Sequence, residues 1–160
     1  MQLDRRLVKV LVAAGVGLVV TTGCALHVTG SGTIRSVNRV DDAKFAFSFD
    51  GPKGKLSGNY ADRGTGDRLK FDGIDSYVDE TGNSDQCMYA YGRYESRTDD
   101  KPGEGTLRII ACDGDAPGDL DHDLISINVL TGPLAGYVNG GELLHGHIKT
   151  HKQPQPVPAE

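Results

Sequence analysis

The residues best able to do chemistry in this 160-residue chain are aspartates, histidines and cysteines. Five aspartates fall within eleven residues, at Asp113, Asp115, Asp119, Asp121 and Asp123. Hard cations such as Ca²⁺ take about six to eight oxygen ligands, and a turning run of carboxylates can supply them. An EF-hand frame begun at Asp113 puts Asp115 third and Gly118 sixth, as that loop requires. It puts Pro117 fifth and Leu124 twelfth, where a bidentate Glu is needed, so the frame fails. Two readings remain. One is a solvated acidic loop whose Asp side chains cap turns. The other is a calcium site drawn from Asp113, Asp115, Asp119 and Asp121.

His145, His147 and His151 share one parity of an extended segment. Same-face neighbours on a strand stand about 6.6 Å apart, close enough for His145 and His147 to share Zn²⁺ or Cu²⁺. A structural zinc site takes four ligands, so His27, His122 or an aspartate would have to be brought in by the fold. Leu144 and Ile148 hold the opposite parity, which turns the histidines towards solvent. Tyr60, Tyr77, Tyr89, Tyr91 and Tyr94 are candidates for a binding face, or else lie half-buried on sheet faces. Scattered acids such as Glu95 and Glu104 are read as solubilising loop residues. No Gly-x-Ser-x-Gly, His-Glu-x-x-His or phosphate-loop pattern occurs, and no catalytic residue is assigned.

The N-terminus carries a different chemistry. Arg5, Arg6 and Lys9 precede an uncharged run of 11 residues, Val10 to Val20. A spanning helix needs about 20 apolar residues, so the run has the length of a signal-peptide core. Thr21-Thr22-Gly23-Cys24 follows. This resembles the lipobox of bacterial lipoproteins. Gly23 and Cys24 match it, Thr22 is tolerated, and Thr21 stands where Leu is usual. The resemblance implies cleavage before Cys24 and a diacylglycerol thioether on its sulfur, holding the protein on the extracytoplasmic face of the cell membrane. Losing Arg5, Arg6, Lys9 and Asp4 with the leader takes the net charge from −5 to −7. So acidic a chain is not a nucleic-acid binder. The lipid, rather than a basic patch, would hold it at a membrane.

With Cys24 committed to lipid, Cys87 and Cys112 are expected to pair, as cysteines of exported chains do. Residues 87–94 and 106–112 read as two strands of a hairpin. Setting Cys87 opposite Cys112 puts Tyr89 opposite Ile110 and Tyr91 opposite Arg108. The other face then carries Met88, Ala90, Ala111 and Ile109, a continuous apolar surface and so the core side.

The elements around these residues are short and extended. Phe45, Phe47 and Phe49 alternate with Ala46 and Ser48, and Ile125, Ile127 and Val129 alternate with Ser126 and Asn128. Gly30 and Gly32 are expected to break the segment 25–34 into strand-like pieces. Asp50-Gly51-Pro52 and Thr131-Gly132-Pro133 mark turns. No helical stripe of useful length follows the leader, and Gly 22 with Pro 7 argues against a helical bundle. The expectation is a single small all-β domain, an antiparallel sandwich or barrel of about 7–9 strands. Its organisation is a signal peptide 1–23, an anchor and first-strand region 24–34, a β domain 35–151 and a Pro-rich tail 152–160.

Asp113, Pro117-Gly118 and Asp121, the Ile125/Ile127 strand, and Gly140-Gly141 with His145 also resemble a Gly-rich all-β domain of exported bacterial proteins, often of the high-GC Gram-positive type. Gly30-x-Gly32-x-Ile34 and Phe45-x-Phe47 fit the same pattern. That resemblance implies a fold and an extracytoplasmic setting, and no activity. The functional expectation is a membrane-anchored envelope lipoprotein acting as a non-catalytic binding module towards an envelope or wall partner, with no cofactor. The alternative is a calcium- or zinc-binding lipoprotein.

Overall fold

The computed structural model describes residues 25–79, 86–114 and 122–153. The signal peptide, Cys24 and most of the Pro-rich tail lie outside these residues. The described chain is all-β, with nine strands: β1 (Ala25–Arg35), β2 (Asp42–Asp50), β3 (Lys55–Asp62), β4 (Arg68–Asp79), β5 (Gln86–Ser96), β6 (Gly103–Asp113), β7 (Leu124–Val129), β8 (Val138–Glu142) and β9 (His145–Gln153). They form one antiparallel sheet in the order β8-β7-β6-β5-β4-β3-β2-β1-β9.

The sheet curls because its two edges belong to one continuous segment. β8 pairs with β7, and three residues after β8 ends the chain begins to pair with β1 as β9. The curl brings β9 against β6 and β8 against β1 along a seam. The Leu144 amide donates to the Thr33 carbonyl at 2.8 Å, and the Leu143 amide to the Asp123 carbonyl at 2.9 Å.

The concave face is the core. Phe45, Phe47 and Phe49 line it from β2, Leu107, Ile109 and Ala111 from β6, and Ile125, Ile127 and Val129 from β7, all buried. The period of two seen in the sequence is thus the inside–outside alternation of a curled sheet. Gly30 and Gly32 do not break β1, which runs unbroken from Ala25 to Arg35. They fall on its inward parity, between Val28 and Ile34. A Cβ on Gly30 would stand 2.7 Å from Phe47 Cε1 and 2.9 Å from Ile148 Cγ1. The glycines are the space into which the stacked Phe45 and Phe47 rings fit, with centroids 6.0 Å apart.

The expected hairpin holds residue for residue. Cys87 pairs with Cys112, Met88 with Ala111, Tyr89 with Ile110 and Tyr91 with Arg108. Cys87 and Cys112 are disulfide-bonded on the convex face, while Met88, Ala90, Ile109 and Ala111 are buried.

The sheet has two distinct ends. The near end holds the start of β1, the 51–54 turn, the end of β6 and the start of β7. The far end holds the turns 36–41 and 63–67, the 97–102 connection and the loop 130–137.

Candidate functional site

The far end is built from residues distant in sequence. The loop 130–137 folds over it and buries Leu134. Tyr94, reaching up from β5, donates to the Thr131 carbonyl at 3.0 Å and accepts from the Leu134 amide at 3.2 Å. Beside it runs a chain of hydrogen bonds with one direction. Asn139 Nδ2 donates to the Tyr60 oxygen at 2.7 Å and to the Arg35 carbonyl at 3.0 Å. The two tyrosine oxygens are 2.6 Å apart, and Tyr137 donates to Asp62 Oδ2 at 2.7 Å. Because the Tyr137 proton is used on Asp62, Tyr60 is the donor between the rings.

Asp62 also accepts from the Gly64 amide at 2.8 Å. Burial pushes its carboxyl up, but hydrogen bonds from Ser36, Tyr137 and the Gly64 and Val37 amides outweigh burial and hold it below the ordinary carboxylate value. Burial pushes Tyr60 up to about 12. Burial also raises Tyr137, and its bonds to Asp62 and Tyr60 raise it further. Asp62 is therefore a fixed anion and both phenols stay neutral. The polar atoms of the four side chains are spent on one another and on nearby backbone groups, which is the arrangement of a structural plug.

Two clefts open beside this plug. One, of about 530 Å³, follows the outer side of β7 and β8 from the 36–41 turn and is lined by Val37, Arg39, Leu124, Ser126 and residues 138–141. The other, of about 410 Å³, is lined by Lys44, Ala61, Asp62, Arg63, Gly66 and Arg68. Cross-strand register builds the second. Ala61 on β3 faces Lys44 on β2 and Arg68 on β4, so a small residue floors the space between two cations.

The chain matches no known family model. No curated protein and no solved structure matches it either. The geometry therefore carries the functional argument.

The residues singled out in the sequence are spread over the molecule. Asp113 is buried at the near end, where its carboxylate accepts the Thr150 amide of β9 at 2.7 Å. Asp123 accepts the Gly114 amide at 2.9 Å and the Ile148 amide of β9. Asp115, Asp119 and Asp121 lie outside the described residues. His145 and His147 are exposed on β9, as their parity implied. The fold instead sets His151 opposite His27 on β1, with ring centroids 5.5 Å apart. Among the described residues no group of three His, Cys, Asp or Glu is placed to hold a metal ion.

The tyrosines divide. Tyr60 and Tyr94 are core residues, Tyr77 packs edge-on to Phe49 with centroids 5.3 Å apart, and Tyr91 is exposed on the convex face. Sequence reasoning missed Asp62, Tyr137 and Asn139, whose partners lie 75 to 79 residues away. It also missed Lys44 and Arg68. Their signal was present, because each precedes an inward residue, Phe45 or Leu69, by one position.

Proposed function

We propose that the protein is a membrane-anchored cell-envelope lipoprotein whose β domain is a non-catalytic binding module. The observation that carries this reading is the N-terminal sequence: the uncharged run Val10 to Val20 is followed by Thr21-Thr22-Gly23-Cys24, and β1 is described from Ala25 onward, at the near end. Lipid on Cys24 would turn the near end of the sheet towards the bilayer. The far end, with the cleft lined by Lys44, Arg63 and Arg68, would then be displayed away from the membrane towards envelope or wall partners. The disulfide agrees with an oxidising compartment. The binding role is supported by the state of the far-end groups. The carboxylate and phenols there are committed to one another, which suits a rigid recognition surface rather than proton transfer.

The test is the intact mass of the mature protein made with its own leader in a lipid-modifying bacterium, before and after reduction. The expected mass begins at Cys24, carries acyl chains and gains two protons on reduction. An unmodified mass, or a start elsewhere, overturns the anchored reading.

The His27–His151 pair favours metal binding as a second reading. An imidazole nitrogen bonds Zn²⁺ at about 2.0–2.1 Å, so two rings sharing a tetrahedral ion stand roughly 5 Å centre to centre. The observed 5.5 Å is near that value, and His27 Nε2 and His151 Nε2 stand 3.4 Å from the Ser48 and Thr29 hydroxyls, contacts that a shared ion would replace. Calorimetry of untagged protein with Zn²⁺ and Cu²⁺ decides it, and absence of heat with both removes it.

A further inference from the structure

We propose that the cleft between Lys44, Arg63 and Arg68 binds a phosphate group, the anionic part of the ligand taken by the module described above. The inference rests on the binding-module reading and names its ligand chemistry. The chain is acidic overall, yet this cleft gathers three cations. Among the described residues, none of the three makes an ion pair, whereas Lys101, Arg35 and Arg97 at the far end are engaged. Lys101 is held by Asp67 at 3.0 Å, Arg35 by Asp42 at 3.2 Å and Arg97 by Glu95 at 2.8 Å. The one acid lining the cleft, Asp62, accepts its hydrogen bonds from Tyr137 and from the Gly64 and Val37 amides. Its charge lowers the cleft's net charge but leaves it positive.

The geometry suits an anion of this size. Lys44 and Arg68 stand one strand to either side of Ala61, so their Cα atoms are about 9–10 Å apart across a methyl floor. Two long side chains can converge over that floor on one tetrahedral group. Arg63 follows β3 and closes the third side, and its backbone is fixed by a 3.1 Å bond from its amide to the Asp42 carbonyl. Arg68 is fixed likewise, its amide donating to Thr98 Oγ1 at 2.9 Å and its carbonyl accepting from Arg97. Gly66 leaves the rim open, since a Cβ there would meet nothing within 4 Å. Two planar guanidinium forks beside one ammonium are the side chains that recognise phosphate oxygens best. On the next outward row, Ala46 and Asn59 carry no charge, and Lys70 is engaged by Glu95 at 3.9 Å.

The experiment is calorimetric titration of the full-length protein with inorganic pyrophosphate at low and at physiological salt. The separate variants are Lys44→Gln, Arg63→Gln and Arg68→Gln, with Lys55→Gln at the near end as control. The expected result is salt-sensitive binding that each cleft variant weakens by roughly tenfold, the size of one charge-assisted hydrogen bond, and that Lys55→Gln leaves unchanged. All four positions are exposed, and circular dichroism verifies that each variant is folded. No binding of pyrophosphate, or equal weakening by the near-end control, overturns the proposal. Vesicles of anionic phospholipid form a second arm. Binding to them with none to pyrophosphate would make the ligand a membrane surface and also overturn it. Failure here leaves the intact mass of the mature protein untouched, so loss of this ligand and loss of the anchored reading are told apart.

Discussion

The Thr150 amide on β9 donates to the carboxylate of Asp113 on β6 at 2.7 Å, and the Ile148 amide donates to Asp123 in the same way. Two side chains thus stand in for a missing strand at the seam. β9 has only β1 as a ladder neighbour, so these amides would otherwise be unpaired at a sheet edge. Replacing either aspartate by Ala is expected to cost about 1–3 kcal/mol, the penalty of an unsatisfied donor. Asn, which keeps a carbonyl acceptor, is expected to cost less. Denaturant unfolding measures the loss, and hydrogen exchange should quicken at the amides of 148 and 150 before the rest of β9. Unchanged exchange at both would show that the carboxylates do not hold the seam.

Stability should fall at both extremes of pH for reasons located at the far end. The folded-state value of Asp62 lies below its ordinary 3.8. Its contribution is fully present above that ordinary value and disappears as pH falls through the lower folded value. Tyr60 has the opposite sign. Its folded value is raised from 10.0 to about 12. Its contribution is full below pH 10 and is lost as pH rises towards 12, where the unfolded phenol ionises first. A Tyr60→Phe variant should therefore be less stable at neutral pH and lose less stability than the parent between those two values. Equal losses would remove Tyr60 as the cause.

The disulfide closes a loop with a sequence separation of 25. On the loop-entropy account its removal costs about 3 kcal/mol. A Cys87→Ser/Cys112→Ser protein should keep the same far-ultraviolet spectrum with a lower unfolding midpoint. Unaltered stability would mean that the hairpin, buried on its other face, needs no staple.

Gly30 should tolerate no side chain of any size. A Gly30→Val substitution drives methyl groups into Phe47 and Ile148 and should cost roughly 1–3 kcal/mol or more, as overpacked cores do. Ser31→Val, on the outward parity of the same strand, should be close to neutral. Unfolding midpoints of the two variants compare them directly, and equal effects would contradict the inward placement of Gly30.

The parts of this fold legible in the sequence are those governed by neighbours two residues apart. Phe45-x-Phe47-x-Phe49 and Ile125-x-Ile127-x-Val129 are inward rows because alternate side chains of a strand share a face. The Cys87–Cys112 register was legible from two signals together: the expected pairing of the two cysteines sets them opposite, and that alignment puts Met88, Ala90, Ile109 and Ala111 on one side. The glycines of β1 were misleading. Their local preference speaks for interruption, whereas the rings of Phe45 and Phe47, contributed by the neighbouring strand, need the room.

Composition and periodicity by themselves determined that this is a small all-β domain with one disulfide hairpin, because those features depend on local alternation and on two cysteines sharing a face. The tertiary structure alone decided the rest. Curling brought β9 to the aspartates that flank β6 and β7, which read in sequence as an acidic loop. It also joined Asn139, Tyr60, Tyr137 and Asp62 into one directed chain, and it set Lys44 and Arg68 to either side of Ala61. Such groupings depend on how strands far apart in the chain are aligned, and that alignment is set by how the whole core packs.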